Sequence, residues 1–149
     1  MKKVLFVCHG NICRSVMAEF IFKDMVSKAD LADEFGIDSA ATSREEIGND
    51  IYPPAKRKLT EKGVPFGRHY ARQVTRQDYD DFDYIILMDD ENTRHIKRII
   101  PDDPEGKISL LLSWAGRSGS VADPWYTGDF ETCYRDILEG CAALLEKIK

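Results

Sequence analysis

Four large apolar residues, Val4–Val7, lie directly before Cys8 near the start of the chain. A strand with one face in water alternates apolar and polar residues, but this run is apolar on both strand faces. Such strands are typical of the centre of a parallel sheet that is covered by helices on each side. The sequence therefore predicts that Cys8 lies at the carboxyl end of a central strand, the edge where open α/β sheets bind their ligands.

The rest of the chain alternates between helix and strand patterns. Further strands are predicted at Gly36–Ala41, Tyr84–Met88 and Ile108–Leu112. Helices are predicted from about Met17 to Lys28, from Pro53 to Gly63, at Thr93–Ile100 and at Phe130–Ile148, with Asp129 as the cap of the last one. A short helix after Thr75 is also expected. This order predicts a three-layer α/β fold, one domain over residues 1–149, with a central four-stranded, mostly parallel sheet flanked by helices.

Charge and cysteine content narrow the class of protein. The 149 residues include 21 basic and 26 acidic side chains without long runs, so no nucleic-acid partner is expected. The apolar run after Met1–Lys3 is too short for a signal peptide or a membrane span, which predicts a cytoplasmic protein that does not bind membranes. The four cysteines form no C-x-x-C pair and are expected to be reduced, so one of them is available for catalysis.

A short loop joins the first strand to the first helix. Its residues are His9, Gly10, Asn11, Ile12 and Cys13. A loop of this length curls so that its backbone N–H groups point inward, and the positive end of the following helix adds to that field. Gly10 and Asn11 tolerate the unusual backbone angles of a tight cradle. Arg14 then presents a planar guanidinium that binds two oxygens of a tetrahedral anion. The loop is therefore predicted to bind phosphate.

The same field favours the thiolate form of Cys8, because a helix N-terminus and a neighbouring cation stabilise a sulfur anion. A thiolate beneath a bound phosphate is a nucleophile, and in-line attack forms a phosphocysteine. Ser15 is placed to donate a hydrogen bond to the sulfur. The alternative for a C-x5-R pattern alone is a buried cysteine that only fills the core. The nucleotide-binding pattern G-x-x-x-x-G-K-[ST] is absent, and the mechanism requires neither a metal nor a cofactor.

These motifs resemble those of the low-molecular-weight protein tyrosine phosphatases. That family carries V-C-x-G-N-I-C-R-S near its N-terminus and D-P-[WY]-Y far downstream, and this chain has both, the second as Asp123–Tyr126. The stretches DSAATS, ARQVT and MDDEN add weaker similarity between them, so the resemblance spans essentially the whole chain.

The resemblance implies the role of each site residue. Cys8 is the nucleophile, Arg14 binds the phosphoryl oxygens, and Asp123 is the general acid that later activates water. Trp125 and Tyr126 are expected to line the mouth of the pocket as flat walls for a phosphotyrosine ring. The family also implies a polar set that supports the loop: Asn11, Ser43, His69 and Asn92. The expected substrates are phosphotyrosine proteins or small aryl phosphates, the product is inorganic phosphate, and the chain is expected to be a monomer or weak dimer.

The chain departs from many relatives after the Thr42–Ser43 pair. Where those relatives have an aromatic pocket wall, this chain has Arg44, Glu45 and Glu46. We expect the acidic pair to disfavour acidic phosphopeptides.

Three other functions compete with this prediction. Arsenate reductases of this fold need resolving cysteines, but residues 14–132 contain none, and Cys133 and Cys141 are predicted to be core residues. Arginine phosphatases of the family typically have threonine where this chain has Ile12, whose apolar side chain favours an aromatic ring. A phosphate-binding module without turnover would not need Cys8, Arg14 and Asp123 together. Finally, Cys13 beside Cys8 suggests protection of the nucleophile by a reversible disulfide.

Overall fold

The computed structural model describes residues 1–149 and contains four strands and six α-helices. The strands are β1 (Lys2–Cys8), β2 (Phe35–Ala41), β3 (Tyr84–Leu87) and β4 (Ile108–Leu110). The helices are α1 (Arg14–Lys28), α2 (Pro53–Glu61), α3 (Arg76–Asp81), α4 (Asp90–Ile96), α5 (Pro124–Thr127) and α6 (Phe130–Ile148). Two 3₁₀ turns cover Ala32–Glu34 and Leu111–Ala115.

All four strands are parallel, in the order β2-β1-β3-β4, which confirms the predicted fold class. Val4–Val7 is completely buried in the central strand. Alternate residues of β1 belong to different cores: Phe6 packs on the side that holds α1 and α6, whereas Leu5 and Val7 pack on the side that holds α3 and α4. The strand is apolar on both faces because both faces are covered.

Two helix starts depend on side-chain caps. The expected short helix after Thr75 is confirmed as α3, where Thr75 and Asp78 cap one another's backbone N–H groups. The prediction for α4 was wrong in its bounds, because the helix begins at Asp90 rather than Thr93 and ends at Ile96. The Asp89 carboxylate accepts from the Asn92 N–H at 2.7 Å, so the reciprocal cap lies one turn earlier than the apolar pattern indicated.

The fourth strand is shorter than predicted, since it ends at Leu110. Leu111 and Leu112 instead begin the 3₁₀ turn and are buried beneath α6. A run of leucines fits a buried strand and a buried turn equally well, so periodicity does not separate the two.

Helix α6 has the predicted bounds and cap. The Asp129 carboxylate accepts from the Thr132 N–H at 2.9 Å. Cys133 and Cys141 are buried in the core, as predicted. Neither α6 nor any other helix combines the length and apolarity needed to cross a membrane.

We predict that Gly140→Ala destabilises the protein by about 1–2 kcal/mol. A Cβ at this position of α6 would lie 2.5 Å from Leu111 Cγ, and Leu111 is fully buried. Overpacking costs about 1–3 kcal/mol, more than the ~1 kcal/mol that alanine contributes to helix propensity. Urea unfolding measures the difference. Gly67→Ala is the matched control, because a Cβ there meets no atom within 4 Å. A Gly140→Ala protein as stable as the parent would contradict the prediction.

Candidate active site

The loop from His9 to Cys13 lies between β1 and α1, at the carboxyl edge of the sheet. Asn11 adopts a left-handed backbone conformation with φ 59°, as the tight loop was expected to require. Gly10 does not, so the expectation for its backbone was wrong. A Cβ at Gly10 would lie 3.3 Å from Glu46 Cγ, so a larger residue would require the Glu46 side chain to shift slightly. Helix α1 has no side-chain cap, which leaves the backbone N–H groups at its start free for an anion.

The Cys8 sulfur lies at the base of this loop, and the residue as a whole is only 3% exposed. The Ser15 hydroxyl oxygen is 3.0 Å from the sulfur, and the Ser15 backbone N–H also points to it at 3.4 Å. Asn11 Nδ2 donates to the same hydroxyl oxygen at 2.9 Å. The thiol donates to this oxygen when Cys8 is protonated, and a thiolate can only accept, so the Ser15 proton then turns to the sulfur. Ser15 is therefore placed to stabilise a thiolate.

A buried chain of hydrogen bonds continues behind Asn11. Its Nδ2 also donates to Ser39 Oγ at 2.9 Å, and the Ser39 hydroxyl donates to Glu19 at 2.5 Å. Lys23 pairs with the same carboxylate. Asn11 Oδ1 accepts from the Arg72 N–H at 3.1 Å, which fixes the orientation of the amide. Ser39 and Glu19 were not predicted as site residues; Ser39 lies inside the DSAATS stretch, but its partners come from distant parts of the chain.

Arg14 is the buried cation of the site, with a side chain only 3% exposed. One guanidinium nitrogen donates to Asp89 at 2.6 Å and to the Val121 carbonyl at 2.9 Å. The other lies 3.4 Å from Asp123. Burial alone would lower the pKa of Arg14, but Cys8, Asp89 and Asp123 raise it above its ordinary value. The guanidinium is therefore permanently charged.

Asp89 is the main functional candidate that the sequence analysis missed. It follows β3 at the sheet edge where Cys8 ends β1, and this position was the available signal. Its second oxygen caps α4, so the carboxylate joins the helix to Arg14.

The Asp123–Tyr126 motif places its carboxylate and its two aromatic rings beside Cys8 and Arg14. Asp123 caps the short helix α5 by accepting from the Trp125 N–H at 3.0 Å, while its other oxygen faces Arg14. The Trp125 ring packs on Tyr52 with centroids 4.7 Å apart. Trp125 and Tyr126 remain 54% and 84% exposed, so both rings are accessible to a ligand.

One pocket gathers most of the predicted residues. Its lining consists of Cys8, His9, Gly10, Ile12, Cys13, Arg14, Glu45, Glu46, Asp123, Trp125 and Tyr126. Two of the predicted binding residues, Asn11 and Ser15, do not line it, because they are fully buried beneath the loop. They position the loop and the sulfur.

Two of the predicted support residues contact the loop backbone. The Ser43 hydroxyl donates to the His9 carbonyl at 2.9 Å. His69 Nε2 donates to the Asn11 carbonyl at 2.6 Å, and His69 is buried. These bonds satisfy two carbonyl groups of the loop, whereas the N–H groups of residues 9–13 donate to no backbone carbonyl.

The third support residue, Asn92, acts indirectly. Its side-chain oxygen accepts from the N–H groups of Met88 and Asp89, at 3.1 and 3.2 Å. It has no hydrogen bond to the phosphate-binding loop. Asn92 therefore holds the segment that carries Asp89, and Asp89 holds Arg14.

Asp50 fixes the backbone of His69 in turn. One oxygen accepts from the N–H groups of His69 and Ile51, and the other pairs with Lys56 and Arg68. Although burial opposes ionisation, the hydrogen bonds from Lys56, His69 and Ile51 lower the pKa of Asp50 well below its ordinary value.

All four cysteines are free thiols. Burial, and then the neighbouring Cys8 sulfur, raise the pKa of Cys13. Cys13 is therefore a neutral thiol beside the nucleophile candidate. A reversible disulfide between the two stays a prediction.

The whole chain was compared with known proteins. Residues 3–149 match the family model described as "Low molecular weight phosphotyrosine protein phosphatase". The chain belongs to this family. The low molecular weight protein-tyrosine-phosphatase YfkJ of Bacillus subtilis is 42% identical, with 100% of this chain and 97% of the relative covered. The Homo sapiens low molecular weight phosphotyrosine protein phosphatase is also 42% identical, with 98% and 95% covered.

Solved structures of the family have the same fold. The crystal structure of YfkJ from Bacillus subtilis superposes with a TM-score of 0.95 at 43% identity, covering 99% of this chain and 94% of that one. A crystal structure described as drosophila arginine phosphatase superposes with a TM-score of 0.88 at 37% identity, covering 100% and 98%. This family of protein tyrosine phosphatases thus includes a member named for a different phosphorylated residue.

We predict that Asp50→Asn lowers the free energy of unfolding by about 1 kcal/mol at pH 7, the upper end of the range for ion pairs with exposed cations. Asparagine retains the two backbone bonds but turns an amino group toward Lys56 and Arg68. Since the pKa of Asp50 is lowered by folding, its contribution is complete above the unfolded pKa of about 4 and declines as the pH falls further.

Urea unfolding at pH 7, 5 and 3 measures this difference. The gap between parent and variant should stay constant from pH 7 to 5 and narrow at pH 3. Asp80→Asn, at an exposed aspartate, is the control and should show no gap. A gap that widens at pH 3 would refute the prediction.

Proposed function

We propose that this chain hydrolyses phosphotyrosine in proteins, and small aryl phosphates, through a phosphocysteine intermediate on Cys8. Residues 1–149 act as a single phosphatase domain in this proposal. One observation carries it: the Cys8 sulfur, the Arg14 guanidinium and the Asp123 carboxylate converge on one pocket at the end of β1. Family membership supports the same reaction class.

Arg14 and the loop amides bind the phosphoryl group. The guanidinium is held by Asp89 and the Val121 carbonyl, so its orientation is set before the substrate arrives. Three phosphoryl oxygens then replace water in a cradle of fixed N–H donors, which stabilises the charge that develops during transfer. Preorganised donors of this kind require no rearrangement in the transition state.

In the first step, the Cys8 thiolate attacks phosphorus from the side opposite the leaving oxygen. The S–P bond forms as the P–O bond to the ring breaks. Asp123 donates a proton to the departing phenolic oxygen, so the ring leaves as a phenol. The Ser15 hydroxyl stabilises the thiolate before attack.

In the second step, water attacks the phosphocysteine. Asp123, now a carboxylate, accepts a proton from that water while the S–P bond breaks. The thiolate returns, and inorganic phosphate leaves with its fourth oxygen supplied by water. Ser15 again stabilises the sulfur, which is now the leaving group. These steps involve protein side chains and water alone.

The ring of the substrate lies between apolar walls in this proposal. Trp125 and Tyr126 form one wall, and Ile12 also lines the pocket. Trp125 packs against Tyr52 with the two rings tilted by 44°, a contact that restrains its position. Flat aromatic walls suit the ring of an aryl phosphate.

Phosphoarginine is the second candidate substrate, because one structural relative is named an arginine phosphatase. Ile12 favours the aromatic substrate, since an aliphatic side chain offers no hydrogen bond to a guanidinium. Matched peptides bearing phosphotyrosine, phosphoserine or phosphoarginine separate the candidates by their kcat/KM values. The proposal requires phosphotyrosine to be the best of the three.

We predict that Cys8→Ser lowers the kcat for p-nitrophenyl phosphate at least about 10⁴-fold, because the covalent nucleophile is lost. The parent should yield a phosphorylated Cys8 peptide when turnover is quenched by acid and the protein is analysed by mass spectrometry. Cys141→Ala is the control, since that thiol is buried far from the pocket in α6, and its activity should persist. A Cys8→Ser enzyme with near-parental activity would exclude the phosphocysteine.

We predict that Asp123→Asn lowers kcat by about 10²–10³-fold for phenyl phosphate, in the range of general acid catalysis. The loss should be smaller for p-nitrophenyl phosphate, because p-nitrophenolate departs readily without a proton. Asparagine preserves the cap of α5 through its side-chain oxygen. Asp129→Asn, the same change at the cap of α6, is the matched control and should leave kcat unchanged. Equal losses for both substrates would argue against the acid role.

A further inference from the structure

Two carboxylates lie at the pocket mouth along with the aromatic wall. Glu45 and Glu46 belong to the segment between β2 and α2, and both line the pocket with Trp125 and Tyr126. We call Glu45 and Glu46 the acidic rim. The proposed mechanism gives them no role, yet any residue next to a bound phosphotyrosine has to pass close to them.

Glu46 lies directly over the phosphate-binding loop. Its Cγ would be 3.3 Å from a Cβ on Gly10. Its carboxylate accepts from Asn49 Nδ2 at 2.6 Å, which fixes the side chain without neutralising it. No lysine, arginine or histidine pairs with Glu46. Its full negative charge therefore faces the mouth.

Glu45 extends further into solvent, with a side chain that is 69% exposed. Its only ionic partner is His9, whose Nε2 lies 2.9 Å from the carboxylate. The ring of His95 lies behind His9, with centroids 6.2 Å apart. His9 pairs with Glu45 alone and makes no ion pair with Glu46.

The segment that carries the rim is held in place by backbone bonds. The Gly48 N–H donates to the Ala71 carbonyl at 2.8 Å, and the Ala71 N–H donates to the Asn49 carbonyl at 2.9 Å. The Asn49 N–H donates to the Glu46 carbonyl at 2.9 Å. The carboxylates are therefore displayed at a defined position relative to the loop.

Nearby lysine and arginine side chains form no ion pair with the acidic rim. Arg44 donates to the neutral amide of Gln73 at 3.3 Å, and Lys56 and Arg68 pair with Asp50. Arg14 is buried at the base of the pocket, where its N–H groups suit a phosphoryl group. The carboxylates of the rim suit a cation about one residue away from that group.

We propose that the acidic rim selects phosphotyrosine segments with lysine or arginine beside the phosphotyrosine and disfavours segments with glutamate or aspartate there. This inference rests on the proposed function. Exposed charge pairs are individually weak, so two of them correspond to about a 3- to 10-fold preference in kcat/KM at low ionic strength. For a segment with glutamate or aspartate beside the phosphotyrosine, repulsion between like charges lowers kcat/KM.

The test uses two phosphotyrosine peptides that differ only in the residues flanking the phosphotyrosine, lysine in one and glutamate in the other. The measured quantity is the ratio of their kcat/KM values in the parent, Glu45→Gln, Glu46→Gln and the double variant. The same ratio is taken from dissociation constants in a Cys8→Ser background, where binding is measured without turnover. Glu34→Gln is the control, an exposed carboxylate at the opposite end of β2.

The expected ratio is about 3 to 10 in the parent and in Glu34→Gln, and close to 1 in the double variant. It should also approach 1 at about 1 M salt, where the screening length is only ~3 Å. A ratio near 1 in the parent, or a ratio that is unchanged in the double variant, overturns the proposal that the acidic rim selects basic segments. Selective binding in the Cys8→Ser background without turnover in the parent overturns the phosphatase proposal and supports the rim.

Discussion

A buried guanidinium is the constraint on which the site depends. Arg14 is removed from water, so its charge must be met by anions and carbonyl groups supplied from elsewhere in the chain. Asp89 comes from the end of β3, while Val121 and Asp123 come from the segment before α5. One side chain therefore joins three segments, and those segments carry the remaining parts of the pocket. Leaving the guanidinium unpaired would cost more than any surface contact in the molecule.

The same requirement for satisfied polar groups explains how the sulfur is presented. Three buried polar residues form this network: Asn11, Ser15 and Ser39. The Asn11 amide donates to both serine hydroxyls, and the Ser39 hydroxyl donates to Glu19. Asn11 donates to the Ser15 oxygen and thereby fixes its position 3.0 Å from the Cys8 sulfur. The position of this hydroxyl beside the sulfur thus depends on a network that extends to Glu19. Buried networks that are fully satisfied behave as rigid units.

The base and the mouth of the pocket carry different charged groups. The Arg14 guanidinium lies at the base, whereas the carboxylates of Glu45 and Glu46 line the mouth. In the proposed reaction the base binds the phosphoryl group, and the mouth contacts the residues around it. The two parts come from different segments, since Arg14 begins α1 and the two glutamates follow β2.

The amino-acid sequence by itself determined the layered α/β fold, the position of Cys8 at a strand end, and the short loop between β1 and α1, because these follow from local patterns and short motifs. Helix α6 and strand β1 had strong periodic signals, so their places were predicted well. Only the tertiary structure decided that Asp89 holds Arg14, that Ser39 and Glu19 orient Asn11, and that Glu45 meets His9. Those contacts join residues that are far apart in the chain. A contact between such residues depends on how the helices and strands pack, and no local pattern records that packing.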